Sequence, residues 1–266
     1  MRLIVTNDDG IHSVFLHALV RALLRAQHTV YVVAPKSEKS WIGCAKSRHH
    51  AVSSEVIDVK LGCPTWTVDG TPSDCVNIGL DHLLPKGHDV QAVVSGINIG
   101  RNASLGFILA SGTIGGAWEG AIHGLPGIAF SQDMNSEVFA RLKAAGDQPD
   151  EDLRRSLDCS AQRAAELVPT LVAQGPQGGF VVHNVNFPLP SLSSCEVVRT
   201  VPAHVIIPGL FSPAADDGTH RFVFHLGDDR SPPHPLSDRA ALDQGKISHT
   251  VLDYRALGHP YLPEKP

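Results

Sequence analysis

Arg2-Leu3-Ile4-Val5-Thr6-Asn7-Asp8-Asp9-Gly10 is the stretch on which the reading of this chain turns. A run of β-forming, mostly apolar residues passes straight into two adjacent carboxylates and a glycine. In an open parallel sheet, ligands collect outside the carboxyl ends of the strands, so this order puts two negative charges where chemistry is done. Side-by-side carboxylates repel each other unless a cation or a basic group lies between them. Hard oxygen donors grouped this way suit Mg²⁺, Mn²⁺ or Ca²⁺ better than softer metals. A helix N-cap is the plainer reading, since an Asp ahead of a helix accepts backbone N–H bonds and favours the dipole. That explains one carboxylate and leaves the second without a reason.

Strand and helix signals extend outward from there. An apolar helical stretch, Val14 to Ala26, carries Leu16, Leu19, Val20, Leu23 and Leu24 along one side. Thr29–Ala34 reads as a second buried strand stopped by Pro35, and residues 36–64 as a long loop or hairpin, often the form of an active-site loop. Thr65–Val68 is a short strand, and Thr71-Pro72 opens a helix running to Leu84. Val90–Ser95 is a strand, Thr113–His123 a helix and Pro126–Ser131 a strand. This alternation predicts an α/β fold, a Rossmann-like three-layer sandwich with a mostly parallel sheet.

Beyond residue 135 the pattern weakens. Asn135–Ser156 is polar, with an exposed turn at Gly146 to Asp150, before a helix over Leu157 to Ala173 and a strand through Phe180-Val181-Val182. After Pro188 the chain is rich in Pro, Ser and Gly. Isolated strands are expected at Glu196–Val201 and Arg221–His225, breaks at Pro232-Pro233 and Pro235, then a short helix and a strand at Ile247–Leu252. The expected division is a core of residues 1–190 and a C-terminal β-rich oligomerisation arm of residues 191–266. Isolated strand edges are a liability unless another chain covers them, which predicts pairing across a two-fold axis.

Bulk composition narrows the partners. The 266 residues are 42% hydrophobic and 18% charged, enough to bury a full core, and the net charge is −5. No Lys/Arg cluster tracks a phosphate backbone, so a nucleic-acid polymer is not expected, whereas a single nucleotide remains open. The five cysteines are widely spaced without a C-x-x-C pair, a pattern of reduced thiols rather than of a disulfide framework or zinc site. The fifteen His residues are scattered; His49-His50 and the His220/His225 pair lack a zinc-ligand set and read as surface or structural. Strand-like residues from position 2 leave no room for a signal peptide, and no apolar run approaches ~18 residues. A cytoplasmic protein with no membrane partner is the expectation.

Three more loops fall at strand ends or helix starts. Ala34-Pro35-Lys36-Ser37-Glu38-Lys39-Ser40-Trp41 offers hydroxyls and two lysines. Ser95-Gly96-Ile97-Asn98-Ile99-Gly100-Arg101-Asn102 offers two amides on glycine-permitted turns, and Ser111-Gly112-Thr113-Ile114-Gly115-Gly116-Ala117 a hydroxyl- and glycine-rich helix start. Free N–H groups and the dipole make such a helix start an anion site suited to phosphate. Taken singly, Ser111-Gly112-Thr113 is an ordinary cap and Asn98 and Asn102 are turn residues. Their convergence on one rim of one sheet is what favours a site.

The order of these motifs resembles the survival protein E (SurE) family of metal-dependent phosphatases and nucleotidases. The resemblance rests on Val5 to Ile11, Val32-Val33-Ala34-Pro35 with Ser40, Gly70 to Val76, Val94 to Asn98 with Asn102, Ser111-Gly112-Thr113 and Glu119-Gly120-Ala121. Asn184-Val185-Asn186-Phe187-Pro188 and Ser237-Asp238 ahead of Gly245-Lys246-Ile247-Ser248 continue it. It implies one divalent metal ion, Mg²⁺ or Mn²⁺, on Asp8, Asp9, Ser40 and Asn98. It also implies a catalytic set of Asp8, Asp9 and Asn98, with Asp8 or Asp9 accepting the proton of an attacking water. Asn98, Asn102, Ser111, Gly112 and Thr113 would hold the phosphoryl oxygens of a nucleoside monophosphate or other small phosphomonoester. A 5'-nucleotidase-type hydrolase, in a homodimer or homotetramer, is the activity so implied. Three positions depart from the family pattern: Val14-Phe15 replaces a Pro-Gly, Trp41 stands where a glycine follows the metal serine, and Ala110 replaces an aromatic. They bear on rate and substrate range, and they keep open a catalytically weakened metal- or nucleotide-binding member. A receiver-like phospho-switch fits poorly, because Asp69-Gly70 stands before a helix without a clear acceptor arrangement.

Overall fold

The computed structural model describes residues 1–174, 179–223, 226–231 and 236–257. Among the described residues nine strands form one sheet in the order β3-β4-β2-β1-β5-β6-β7-β9-β8. They are β1 (Arg2–Thr6), β2 (Thr29–Pro35), β3 (Ser54–Val56), β4 (Thr65–Val68), β5 (Ala92–Ile99), β6 (Gly127–Gln132), β7 (Val181–Phe187), β8 (Val197–Thr200) and β9 (Ile247–Asp253). From β4 to β7 every pairing is parallel, while β3 on β4 and β9 on β7 run antiparallel. The predicted α/β class and mostly parallel sheet are the ones found.

Alternation along the strands sorts the two faces. Leu3, Val5, Val30, Val32, Ala92 and Val94 face α1 (Val14–Arg25) and α6 (Glu151–Gln174). Ile4, Val33 and Val93 face α2 (Pro72–Ile78), and Ala129 and Val182 face α4 (Gly112–Ile122). α1 forms because Phe15, Leu16, Leu19, Val20 and Leu23 recur on one buried side. α2 is fixed at its start by Pro72 and by a reciprocal cap, in which Thr71 Oγ1 accepts from Asp74 N and Asp74 accepts from Thr71 N. Its continuation to Leu84 is a π-helical turn over Gly79–Leu83.

α4 lies unusually close to the sheet, and glycine is the reason. A Cβ at Gly120 would stand 2.2 Å from Val93 Cγ2, and one at Gly116 would stand 2.8 Å from Thr6 Cγ2 and 3.1 Å from Ser95 Oγ. The close approach brings the N-terminus of α4 onto the end of β1. β1 is paired with β2 on one side and β5 on the other, and the chain builds outward from it in both directions. This reversal of strand order opens the crevice in which ligands of open α/β sheets bind.

The structure departs from the sequence reading at residues 105–110 and beyond residue 135. Asn135–Ser156 holds α5 (Ser136–Ala144) and the first turn and a half of α6. Asn135 caps α5 through Val138 N, and i,i+4 pairs Arg141–Glu137, Lys143–Asp147 and Arg155–Glu151 support surfaces without an apolar signal. A short helix, α3 (Leu105–Ala110), precedes α4. Strands expected to be isolated at Glu196–Val201 and Ile247–Leu252 are β8 and β9, and both belong to the central sheet, beside α7 (Asp238–Asp243). Of Arg221–His225, Phe222 makes a single bridge to Phe211, and Phe224 and His225 lie outside the described residues, as do Pro232, Pro233 and Pro235.

Gly120→Ala should destabilise the protein by about 1–3 kcal/mol, because a methyl against a β-branched neighbour outweighs the helix-propensity gain of about 1 kcal/mol. Thermal or urea unfolding measures it, and the loss should shrink in the Gly120→Ala/Val93→Ala double variant. A stabilised single variant would show that α4 has room to move.

Candidate metal and phosphate site

Asp8 and Asp9 follow β1 directly, at the switch between β2 and β5. Gly10 takes φ +93°, which frees its carbonyl to accept from Asn7 Nδ2 at 3.0 Å. Ile11 N donates to Pro35 O at 2.8 Å and Lys39 N to Asp8 O at 2.7 Å, so the loop after β2 is bound to the acidic turn. On the other side Ile99 N donates to Asp9 Oδ2 at 3.1 Å. The turn is therefore held from both neighbouring strands.

Asn98 reaches this rim through an irregularity. β5 pairs with β6 as Ser95 with Ala129 and then Asn98 with Ser131, one extra residue on β5. Such a bulge re-aims the side chains beyond it. Gly96 sits inside the bulge at φ +128°, where a Cβ would stand 2.2 Å from Phe130 O. Asn98 Nδ2 donates to Gly100 O at 2.7 Å, which leaves the amide oxygen as the atom to offer a cation.

The start of α4 closes the arrangement. Ser111 Oγ caps it by accepting from Ile114 N at 3.1 Å. Thr113 Oγ1 donates to Asp8 Oδ1 in a short bond. Gly112 has no space for a side chain, since a Cβ would lie 2.8 Å from Asp8 Cβ and 3.0 Å from Lys39 O. Asp8, Lys39 and the first residues of α4 thus meet at one point.

Electrostatics at that point are unfavourable to the carboxylates alone. Burial pushes Asp8 up to about 6, against hydrogen bonds from Thr113 that pull it down, and the Glu38 charge raises it further. Asp9 is held well above the ordinary carboxylate range, by burial first and then by the Asp8 charge. Among the described residues no Lys, Arg or His lies within ion-pair distance of either. Asn7 Oδ1 is buried beside them without a hydrogen-bond partner. Among the described residues no three His, Cys, Asp or Glu side chains converge on a metal position, so any cation here depends on hydroxyl and amide oxygens as well. The donors present, two carboxylates, an amide oxygen and a hydroxyl, fit a hard divalent cation.

Not every expected residue is directed at this point. Ser40 follows Lys39, whose N–H is bonded to the Asp8 carbonyl, but its own hydroxyl donates to Glu38 Oε1 at 2.7 Å. Asn102 is buried, and its side-chain amide donates to Ser131 Oγ at 3.0 Å. Its backbone N–H donates to Asn186 Oδ1 at 2.7 Å, and its carbonyl accepts from Asn184 Nδ2 at 2.8 Å. Sequence reasoning gave no role to Glu38, Asn184 or Asn186. The i,i+2 spacing of the two Asn residues, which puts both on one face of β7, was the available signal.

A doubly wound α/β protein in which an acid pair and a helix start meet at the switch point is the class this arrangement defines. The chain belongs to the survival protein SurE family, whose model matches residues 3–205. It is 34% identical over 266 residues to a 5'-nucleotidase SurE of Desulfovibrio desulfuricans, covering 97% of this chain and 95% of that one. With the 5'-nucleotidase SurE of Gloeobacter violaceus it is 45% identical over 149 residues, 55% of each chain, so this match spans about half the length of that relative. The crystal structure of the SurE protein from Aquifex aeolicus shares the fold, with a TM-score of 0.69 at 24% identity over 98% of this chain and 100% of that one. No helix among the described residues is long and apolar enough to cross a membrane.

The raised carboxylates set a stability prediction for the metal-free protein. A folded pKa above the unfolded 3.8 means the folded state binds more protons, so this contribution to stability falls as pH rises from about 4 through 6 and beyond. Asp9→Asn should therefore raise the Tm of metal-free protein at pH 8, with the gain fading towards pH 4. Added Mn²⁺ should raise the Tm of the wild type and leave that of the variant nearly unmoved. A variant less stable at every pH would mean that the pair is not repulsive.

Proposed function

We propose that this protein is a divalent-metal-dependent phosphomonoesterase that hydrolyses nucleoside monophosphates or similar small phosphomonoesters to alcohol and phosphate. The observation that carries the reading is the meeting of opposite demands at one point. An acid pair, Asp8 buried and Asp9 half-buried, calls for a cation, and the start of α4, one bond away through Thr113, would offer N–H groups to an anion. A phosphate group at this point would meet the demand of the helix start, and a divalent cation held by the acid pair would meet the other. The names of the full-length relatives support the same activity.

Asp8, Asp9, Asn98 and Ser40 are the residues we assign to the metal, Ser40 by turning its hydroxyl from Glu38. A bound Mg²⁺ or Mn²⁺ supplies charge to a phosphoryl oxygen and lowers the pKa of a water. Asp8 or Asp9 would accept the proton of an attacking water. Ser111 and Gly112 would present donors where charge spreads over the equatorial oxygens, and Thr113 joins them by turning its hydroxyl from Asp8. Asn98 faces both metal and phosphate, and Asn102 joins the phosphate donors by releasing Ser131. The unpaired state of all five cysteines supports a cytoplasmic, reducing compartment. Residues 191–266 we assign to an oligomerisation extension, in a homodimer or homotetramer.

Release of phosphate from AMP and from p-nitrophenyl phosphate, with and without Mn²⁺, tests the activity. Wild type should be metal-dependent, and Asp8→Asn or Asp9→Asn should reduce turnover by a factor of about 10² or more while keeping the fold, since ligand charge is lost and core volume is not. Full activity of either variant at saturating Mn²⁺ would remove the assignment. Light scattering on eluted protein should give two or four chains per particle; a monomer at micromolar concentration would overturn the oligomer.

A further inference from the structure

The segment that follows β2 is laid along α4. A Cβ on Gly112 would stand 3.0 Å from Lys39 O, and one on Gly115 would stand 2.3 Å from Gly43 O and 3.2 Å from Cys44 Cα. Further along, the Lys46 ammonium meets Glu119 Oε2 at 2.6 Å. Residues 39–46 therefore keep step with residues 112–119, about two turns or 10 Å of helix. Neutral hydrogen bonds fix the segment between those ends. Lys39 N–H donates to Asp8 O at 2.7 Å, Gly43 N–H to Ala110 O at 2.9 Å, and Ala45 O accepts from Thr71 Oγ1 at 2.7 Å. Ser47 N–H donates to Asp74 Oδ1, in the cap of α2, at 3.1 Å. Ser40 rides on this segment, between the bonds of Lys39 and Gly43.

Glu119 makes the far end the strongest of these attachments. Its side chain is wholly buried, whereas that of Lys46 is 47% exposed. On its other oxygen, Asn77 Nδ2 of α2 donates at 3.1 Å and His123 Nε2 stands 3.5 Å away. A buried carboxylate is costly unless it is paired, and Lys46 is the charge that comes to it from the segment. We propose that Lys46 is a positioning residue for the cation site. Its ion pair with Glu119 anchors the segment carrying Ser40 along α4, so that the Ser40 hydroxyl reaches a metal on Asp8 and Asp9 without first ordering its own backbone. The proposal rests on Ser40 as a metal residue, and it adds the group outside the site that keeps that hydroxyl in reach.

The test is calorimetric titration of Mn²⁺ into the metal-free full chain, beside its Tm and its release of phosphate from p-nitrophenyl phosphate. Lys46→Met keeps the stem and removes the charge, and Lys46→Arg keeps the charge. Lys46→Met/Glu119→Gln removes both charges, so no carboxylate is left buried alone. Lys46→Met should weaken Mn²⁺ binding by roughly tenfold, the cost of ordering about one residue of backbone. The Mn²⁺ concentration for half-maximal turnover should rise by the same factor, with a smaller change in kcat at saturating Mn²⁺. Lys46→Arg should recover most of the affinity. The double variant should bind Mn²⁺ as weakly as Lys46→Met and no more weakly, with a higher Tm than the single, because the two groups act as one unit. Unchanged Mn²⁺ affinity in the single and double variants, whatever their Tm, would overturn the proposal by leaving a pair that only stabilises. Lys46→Arg binding as weakly as Lys46→Met would overturn it too. A wild type that binds Mn²⁺ yet releases no phosphate would sink the phosphomonoesterase reading alone, with the calorimetric loss still upholding the anchor. A wild type that binds no Mn²⁺ would overturn both.

Discussion

Two carboxylates on consecutive residues, Asp8 buried and Asp9 half-buried, repel each other, and the architecture around them holds them together despite that repulsion. Left in water, such a pair would separate by backbone rotation or gain protons. Here rotation is prevented, because β1 is the central strand of the parallel run, with pairs on both sides and Leu3, Ile4 and Val5 wholly buried. The turn is fastened by Asn7 to Gly10, by Lys39 to Asp8 and by Ile99 to Asp9. The favourable free energy of the core is what offsets the unfavourable free energy of the site, the usual relation between a stable scaffold and a strained functional centre.

The approach of α4 follows from the same constraint. A helix with ordinary side chains towards the sheet would stand farther off and put its N-terminus out of reach of Asp8. Gly112, Gly116 and Gly120 remove that obstacle on the face towards β1 and β5, and Gly115 does so towards the loop after β2, where a Cβ would stand 2.3 Å from Gly43 O. Packing and electrostatics are thus one arrangement. The residues that let the helix close on the sheet are also those that deliver its dipole to the acid pair.

Much of this is legible in the sequence because it depends on local pattern. The alternation of Leu3 to Thr6, the period of Leu16, Leu19, Val20 and Leu23, and the Pro72 start of α2 each announce an element with its own residues. The acidic pair and Ser111-Gly112-Thr113 announce chemistry in the same way. What stays hidden depends on distant partners. α5 carries only Leu142 as a fully buried residue, and charge pairs along its surface give no apolar period. β8 and β9 read as isolated because their pairing partners lie far away in sequence: β9 pairs with β7 across more than sixty residues, as Asn184 with Thr250 shows. Glu38 is one exposed acid among many in sequence, and only the fold brings its charge against Asp8.

The later part of the chain supplies none of the proposed metal ligands, yet it determines where the loop between Asn98 and α3 can lie. Asn184 and Asn186 on β7 take both backbone groups of Asn102. Asp238, wholly buried at the start of α7, accepts from Ser104 N at 2.7 Å and Ala203 N at 2.9 Å. Burial raises its pKa and these backbone N–H bonds lower it, so the charged form is stabilised by the contacts that fix the loop. Residues 98–104 are consequently held at three depths: by Asp9 at Ile99, by β7 at Asn102 and by α7 at Ser104. A loop tied so closely to buried polar groups has little freedom to swing. The position of Asn98 is therefore set as much by the C-terminal helix and strands as by the bulge in β5 that precedes it.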